Sequence, residues 1–284
     1  MDEQNYITLF LNSAFSEEAP LSALTLFFLF LARMYPIIAL SPFFGAKVLP
    51  HPVKAAFVIC LFSIFLPKLL IVTTSALTFD LRAVFLLTKE VFIGYTIGIL
   101  ISLPFIIAQN AGIIVDHQRG GASLMVNDPT VQNQSSPLGT LFNMVLIFLF
   151  YYLDAPFMIL DLISDSYDVM PPDKFLNPNF FNLNTDFWKM QINILNKVMV
   201  VSIQLATPAL ILMLMTDLFL GIANRLAPQV QITFLGMGLK SLLGLAIVAI
   251  GWNLIVEEFG KSVYYWVNQI GEVFKMITAA QRIP

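Results

Sequence analysis

The sequence offers few residues in arrangements that could perform chemistry. Its two histidines, His51 and His117, are too far apart in sequence for a helical metal-binding pair, and its one cysteine, Cys60, lies in an apolar run. Gly260-Lys261-Ser262 is similar to the end of a phosphate-binding loop, but Ile255 stands where that loop requires its first glycine. We therefore expect no enzyme activity, no metal and no cofactor.

Charged residues inside apolar stretches are the next candidates. An ionisable group at membrane depth is costly and often marks a path for ions or protons. A structural role is the alternative: an arginine can extend its head group to the membrane surface, and other charges can lie at a segment boundary or face a polar rim. We favour the structural alternative for each member of the set, which comprises Arg33, Lys89, Glu90, Asp154, Asp161 and Asp217.

Two patterns of small residues are also candidates. The spacing of Gly94 and Gly98 would let a neighbouring helix approach closely. The stretch from Asp116 to Pro129 combines the paired glycines Gly120 and Gly121 with the apolar pair Leu124-Met125, between two long apolar runs. These residues alone fit a plain connecting loop at least as well as they fit a functional re-entrant loop.

The composition excludes whole classes of protein. Of the 284 residues, 58% are apolar and 12% are charged, and the mean hydropathy is +0.80. An ordinary soluble domain carries roughly 25% charged residues. The 15 basic and 18 acidic residues leave a net charge of -3, and the basic ones are scattered singly. We therefore exclude a soluble globular protein and a nucleic-acid-binding protein.

The elements that must position these residues are hydrophobic segments. A membrane-spanning helix needs about 20 mostly apolar residues. We count about six segments, near residues 19–40, 55–73, 87–115, 137–163, 191–216 and 230–256. Prolines within or at the edge of them favour helices packed inside protein, namely Pro36, Pro67, Pro104, Pro156 and Pro208. We predict an all-α integral membrane protein of broken helical segments, with a solvated loop at 164–189.

One block of sequence resembles a known family. The block runs from Gly221 to Gln231 and contains Asn224-Arg225 and Pro228-Gln229, with Gly236, Lys240 and Gly244 after it. It is similar to the signature of the T subunit of the type III secretion export apparatus, whose flagellar members are called FliR. The resemblance covers about residues 20–260. It is supported by Arg33, Ser41-Pro42, Gly45, Pro50, Lys54, Glu90, Gly94, Gly98, Ala111-Gly112, Asp128-Pro129 and Pro137.

The central stretch separates two branches of this family. Asp116, Gln118, Arg119 and Gly120 resemble the form found in the injectisome branch, whereas flagellar members tend to lack the arginine. Gly121 departs from that form, because alanine is expected there. The resemblance therefore favours an injectisome subunit, with a flagellar FliR subunit as the alternative. A small-solute or ion transporter is the alternative from a different class, because it would also use broken helices and intramembrane charges.

The resemblance implies a non-enzymatic part of a protein-export gate in the bacterial inner membrane, multi-pass and partly raised into the periplasm. The implied partners are the R and S subunits, the U switch subunit, the V export-gate subunit, the base of the inner rod and needle, and unfolded secreted proteins as substrates. The implied organisation is one membrane domain over residues 1–260, with an R-like part at 1–190 and an S-like hairpin at 191–260. A C-terminal tail follows at 261–284.

The resemblance also implies roles for residues. The loop that points into the pore as a plug corresponds to Asp116, Gln118, Arg119, Gly120, Gly121, Ser123, Leu124, Met125, Asp128 and Pro129. Arg119 would anchor the closed loop through a carboxylate or carbonyl partner. Residues expected to serve assembly or packing are Arg33, Glu90, Gly94, Gly98, Asn224, Arg225, Pro228 and Gln229. For the Asn224 to Gln229 signature, purely structural helix capping and contact with the substrate are equally compatible further roles.

Overall fold

The computed structural model describes residues 19–45, 49–75, 77, 79–120, 136–175, 186–226 and 232–281. Its helices are α1 (Ala19–Leu40), α2 (His51–Val72), α3 (Leu81–Gln118), α4 (Pro137–Tyr152), α5 (Ala155–Val169), α6 (Asp186–Leu226), α7 (Ile232–Ile250) and α8 (Trp252–Gln281), with a 3-10 turn at Pro42–Phe44. The described residues contain no β-strand. The predicted all-α fold class is confirmed.

Four of these helices are long and apolar enough to cross a membrane alone: α1, α2, α3 and α6. The pairs α4–α5 and α7–α8 pass the same test only when each pair is taken as one broken span, which raises the number to six. Each of the six predicted segments thus corresponds to one helix or one pair. The protein is a multi-pass membrane protein.

The helices extend further than the hydrophobic segments. Helix α3 begins at Leu81 instead of about residue 87, and α6 runs from Asp186 to Leu226 instead of from about 191 to 216. Helix α5 continues to Val169, and Asp173 is buried, so the prediction of a solvated loop at 164–189 is wrong for its first part. The physical reason is that charges end an apolar run without ending the hydrogen bonding of a helix.

The prolines behave in two ways. Pro36, Pro67, Pro104 and Pro208 lie inside helices, where each removes one backbone hydrogen bond. Pro156 lies instead in the first turn of α5, directly after the break between α4 and α5. At that break Asp154 has a φ of 54°, a left-handed conformation that aspartate tolerates better than most residues.

The described residues divide into two compact units. Unit 1 consists of the described residues within 1–102, 154–192 and 265–284, and unit 2 of those within 103–153 and 193–264. In unit 1, α1 packs on α2, and Phe30 lies 5.4 Å from Phe62 and 6.1 Å from Tyr167 between ring centres. In unit 2, Phe105 lies 5.3 Å from Phe150. Each unit therefore has an apolar and aromatic core of its own.

Within unit 1, α3 lies directly against the backbone of α1. Glu90, Gly94 and Gly98 follow each other at intervals of four residues, so they share one face of α3. A Cβ added to Gly94 would lie 2.1 Å from the carbonyl oxygen of Arg33, and one added to Gly98 would lie 3.1 Å from that of Pro36. The face of α3 that carries Glu90 is therefore held against α1 by contacts that only glycine permits.

We expect Gly94→Ala to destabilise the protein by about 1–3 kcal/mol, because the methyl group would force α1 away from α3. The measurement is the midpoint of thermal unfolding of the full chain in detergent, together with its abundance in membranes. Gly238→Ala is the matched control, since a Cβ at Gly238 of α7 would meet no atom within 4 Å. Equal effects of the two substitutions would contradict the close approach.

Candidate functional sites

A buried charge cluster occupies unit 1. Arg33 and Glu90 have no exposed side-chain surface, and Lys89 has 6%. The Arg33 guanidinium donates through Nε and Nη2 to the two carboxylate oxygens of Glu90, with a distance of 2.9 Å for the second bond. Lys89 Nζ lies 2.8 Å from Glu90 Oε1. The expectations that Arg33 reaches the membrane surface and that Lys89 and Glu90 lie at a segment boundary are wrong.

The remaining donors of Arg33 bind α5 and its end. Nη1 donates to Ser166 Oγ at 3.1 Å, and Nη2 donates to the carbonyl oxygen of Met170 at 2.7 Å. The guanidinium carbon lies 4.0 Å from the centre of the Tyr167 ring, a cation–π contact. Arg33 therefore joins α1, α3 and α5 through one side chain.

Lys89 extends the cluster to the chain after α5. Its ammonium donates to the carbonyl oxygens of Pro171, Pro172 and Lys174 at 2.8, 3.3 and 2.9 Å. Three acceptors match the three protons of an ammonium, and the 2.8 Å contact with Glu90 balances part of the charge. This segment is consequently a fixed part of unit 1.

Asp173 completes this end of unit 1. Its Oδ2 accepts from the backbone nitrogens of Thr74 and Ser75 at 3.2 and 3.0 Å, and from the Ser75 hydroxyl at 2.9 Å. Burial by itself raises the pKa of Asp173, but the hydrogen bonds from Ser75 and Thr74 together lower it by more, so the net pKa lies below its ordinary value. Asp173 is thus a carboxylate at neutral pH and holds the connection between α2 and α3.

A second site lies in unit 2 where α3 ends and α4 begins. Asp116 is 1% exposed, and its Oδ1 accepts from Arg119 Nε at 2.7 Å. Its Oδ2 accepts from the Ser136 hydroxyl and from the backbone nitrogen of Leu138 at 2.9 Å. Ser136 in turn caps α4 by accepting from Gly139 N at 2.9 Å. We call Asp116, Arg119 and Ser136 the loop clamp.

The backbones of α3 and α4 touch beside the loop clamp. A Cβ on Gly112 would lie 2.4 Å from the backbone nitrogen of Gly139. Helix α3 ends at Gln118, and Gly120 just after it has a φ of 87°, a left-handed conformation that glycine adopts without strain. The end of α3 and the start of α4 are therefore held close together on either side of residues 121–135.

The loop clamp gathers part of the predicted plug. Asp116 and Arg119 meet there, so Arg119 does have a carboxylate partner, and Gln118 lies half-buried in the last turn of α3. Gly120 follows directly. The other predicted plug residues lie outside the described residues: Gly121, Ser123, Leu124, Met125, Asp128 and Pro129.

A third site joins α6 and α7 in unit 2. Lys240 of α7 forms an ion pair with Asp217 of α6. A Cβ on Gly236 would lie 2.8 Å from Leu220, and one on Gly244 would lie 3.3 Å from the Met213 sulfur. The pairs Asp217–Lys240 and Met213–Gly244 share the same midpoint in sequence, as an antiparallel pair of helices requires. Helices α6 and α7 thus pair antiparallel in a defined register.

A cleft of about 260 Å³ lies beside this ion pair. Asp217, Lys240 and Asn224 supply its polar groups, and Gly221 and Gly236 line its wall. Asn224 and Arg225 are exposed on the last turn of α6. Pro228 and Gln229 lie outside the described residues. The described half of the signature therefore presents its polar side chains outward at the end of the helix pair.

The loop clamp also contacts α7. A Cβ on Gly244 would lie 3.6 Å from Arg119 Cβ and 4.0 Å from Arg119 Cδ. The aliphatic stem of Arg119 thus packs where α7 has no side chain, while its guanidinium faces Asp116. In the sequence Gly244 is part of the signature, and the structure adds that it lies against Arg119 of the loop clamp.

Sequence reasoning missed several partners. Ser136 and Ser166 are single serines without a distinctive pattern, and nothing in the sequence pairs them with Asp116 or Arg33. Lys240 could have been paired with Asp217, because both are isolated charges at equal sequence distances from the same turn. Among the described residues no three His, Cys, Asp or Glu side chains lie close enough together to hold a metal ion.

We expect Glu90→Met to be more damaging than Arg33→Met, because the first leaves two buried cations unpaired and the second leaves Lys89 to balance Glu90. Breaking a buried pair costs about 3–5 kcal/mol, and the double variant should cost less than the two single ones together. The readouts are the thermal unfolding midpoint in detergent and the abundance in membranes. Lys68→Met is the control, because its pair with Asp168 is partly exposed. If the stability losses of the two single variants simply added up in the double variant, Arg33 and Glu90 would not act as a pair.

We expect Asp217→Lys to weaken the α6–α7 pairing through repulsion from Lys240, and the swapped variant Asp217→Lys/Lys240→Asp to restore most of it. The measurement is the rate of limited proteolysis in the connection between α6 and α7 in membranes. The matched control reverses Glu257 and Lys261, an exposed pair on α8 whose inversion should change little. A swapped variant as labile as the single one would show that this pair does not set the register.

The sequence of this chain is similar to that of a known family of proteins. Residues 24–264 match the family described as bacterial export proteins, family 1. The secretion system apparatus protein SsaT of Salmonella typhimurium is 30% identical over 176 residues, which are 61% of this chain and 65% of SsaT. The chain therefore matches just under two thirds of that relative's length.

Two further relatives are a Yop translocation protein and a flagellar biosynthetic protein. The Yop proteins translocation protein T of Yersinia pestis is 29% identical over 185 residues, or 65% of this chain and 69% of the relative. The flagellar biosynthetic protein FliR of Pectobacterium carotovorum is 26% identical over 254 residues, or 88% and 90%. The family match contains the charge cluster, the loop clamp and the α6–α7 ion pair. This chain belongs to the bacterial export proteins, family 1.

Proposed function

We propose that the protein is the T subunit of the export apparatus of a type III secretion injectisome. In this proposal it is a non-enzymatic part of the gate that, with the R and S subunits, forms the inner-membrane entry pore for unfolded secreted proteins. Residues 1–190 supply the R-like part and residues 191–260 the S-like hairpin. The segment held by the loop clamp is the plug of the pore.

The observation that carries the plug proposal is the geometry of the loop clamp. Asp116 binds Arg119 just before the segment 121–135 and Ser136 just after it. The segment therefore leaves and re-enters the fold at one carboxylate. Such a segment can be displaced as a unit while its ends stay fixed, and its apolar pair Leu124-Met125 has the chemistry to close a pore against water and ions.

The surface of α6 supports a role in an assembly. Its 41 residues make it about 60 Å long, roughly twice the hydrocarbon thickness of a bilayer. Large apolar side chains are exposed from Leu195, at 56%, to Leu226, at 81%. That stretch is itself about 45 Å long, which exceeds the roughly 30 Å hydrocarbon core of a bilayer. Protein partners would cover the remainder, which is consistent with a subunit partly raised into the periplasm.

The partners follow from the same proposal. The R and S subunits would cover the exposed apolar face of α6 and the outward polar residues Asn224 and Arg225. The U switch subunit, the V export-gate subunit and the base of the inner rod and needle would be neighbours in the complex. The substrates would be unfolded proteins, whose passage requires the plug to move.

A flagellar FliR subunit is the second candidate, because the FliR relative matches 88% of this chain whereas the SsaT relative matches 61%. The pairing of Arg119 with Asp116 favours the injectisome branch, since the arginine is the residue that flagellar members tend to lack. A transporter receives less support. Arg33 and Glu90 are fully enclosed and bonded to each other, so neither can exchange an ion without opening the core of unit 1.

The plug proposal predicts that deletion of Gly120 to Met125 leaves the complex assembled and makes the membrane permeable to ions. The full chain would be co-purified with its candidate R and S subunits, and ion leak would be measured in cells as growth sensitivity to salt and loss of membrane potential. Assembly should be unchanged because the assembly surface lies on α6.

The matched control replaces Val131 to Gln134 with glycine and serine, which alters the same segment and keeps Leu124-Met125. It should assemble and remain tight. An assembled deletion variant in a tight membrane would refute the plug, while absence of R and S subunits from the purified wild-type chain would refute the export-gate assignment. Co-purification with flagellar partners instead would select the FliR alternative.

A further inference from the structure

An apolar cavity of about 250 Å³ lies in unit 2 and is open to the surface on one side, and neither the loop clamp residues nor the α6–α7 ion pair line it. Its wall consists of side chains from α3, α4, α6, α7 and α8, and every lining residue is aliphatic, aromatic, proline or glycine. The residues that define it best are Val115, Phe142, Pro208, Ala209, Val248 and Gly251.

The cavity has a structural cause. Helices α7 and α8 are bent by 61° at Gly251, which directs α8 away from the line of α7. Ala209 and Pro208 of α6 face this bend with short side chains, and Ala209 and Val248 are 4% and 7% exposed. A bend opposite small residues leaves space that the neighbouring side chains cannot reach. An apolar cavity of about 150 Å³ already holds benzene, so this one admits a larger hydrocarbon.

The mouth of the cavity identifies what can enter it. Ile250 and Leu254 line the cavity and are 82% and 72% exposed, so its rim is apolar. Both lie in the α7–α8 pair, which together is long and apolar enough to cross a membrane. A rim of this kind within a membrane span faces lipid chains, and the lining residues offer no polar side chain that could orient a water-soluble ligand.

We propose that this cavity is a binding site for one acyl chain of a membrane lipid. The chain enters past Ile250 and Leu254 and packs against Phe142 and Val248. It contacts Val115, the neighbour of Asp116, and therefore supports the wall behind the loop clamp. The lipid head group stays outside at the exposed rim, so the site selects for a hydrocarbon chain.

The test is photo-cross-linking in vesicles that contain a phosphatidylcholine with a diazirine in its acyl chain, using the full chain in its purified complex. Adducts are mapped by mass spectrometry. We expect adducts on Val248 and Ala209, which are too buried for lipids on the outer surface to reach. Adducts on the exposed Ile64 and Ile71 of α2, which lie outside the assembly surface of α6, report ordinary surface lipids and serve as the internal reference.

Ala209→Leu should lower the Val248 adducts by roughly fourfold for each methylene of lipid that the larger side chain displaces, and leave the reference adducts unchanged. Ala209→Val should give an intermediate loss, which keeps the test decisive if the leucine variant does not fold. Ala223→Leu, on the less buried last turns of α6, is the matched control and should change neither. Adducts confined to the reference surface, or Val248 adducts equal in all variants, would overturn the proposal.

Discussion

The enclosure of Arg33 is the constraint on which unit 1 depends. A guanidinium with no exposed surface must be balanced in charge and supplied with acceptors, and α1 itself offers neither. Glu90 supplies the charge from α3, and Ser166 and Met170 supply acceptors at and beyond α5. Because these bonds are directional, α1, α3 and α5 can satisfy Arg33 in few arrangements. Gly94 is part of the same solution, since only a residue without a side chain lets α3 come close enough for Glu90 to reach.

Unit 2 also contains a buried charge, Asp116, that must be satisfied by its neighbours. Asp116 is almost fully buried, and it is satisfied by groups on both sides of the segment 121–135. These bonds hold the end of α3 against the start of α4. Gly112 and Gly139 permit the contact between the two backbones, and Gly244 gives the stem of Arg119 a surface on α7. In the proposed gate subunit, this arrangement would fix Asp116 and Ser136, the described residues on either side of the proposed plug.

Much of the architecture could be predicted from the sequence because it follows from composition and spacing. A chain with so few charges cannot cover a water-facing surface, so membrane helices were the available fold. The interval of four between Gly94 and Gly98 indicated close packing, but not which helix would occupy that face. The ends of the helices were harder to predict from the sequence. Helices α3 and α6 continue through charged residues, such as Lys89 and Asp217, that interrupt the apolar runs. Asp173 was predicted to lie in solvent, and its burial depends on Thr74 and Ser75, about a hundred residues earlier in the chain.

The sequence by itself determined the class of protein, the number of hydrophobic segments and, through Gly221 to Gln231, the family. These three properties can be predicted from the sequence because each depends on composition or on residues that are close together in the chain. Only the tertiary structure decided which charges neutralise each other: Arg33 with Glu90, Asp116 with Arg119, and Asp217 with Lys240. It also decided that the bend at Gly251 opens an apolar cavity opposite Ala209. The reason is that a buried charge or a cavity is a property of several helices at once, and no single segment specifies what the others bring to it.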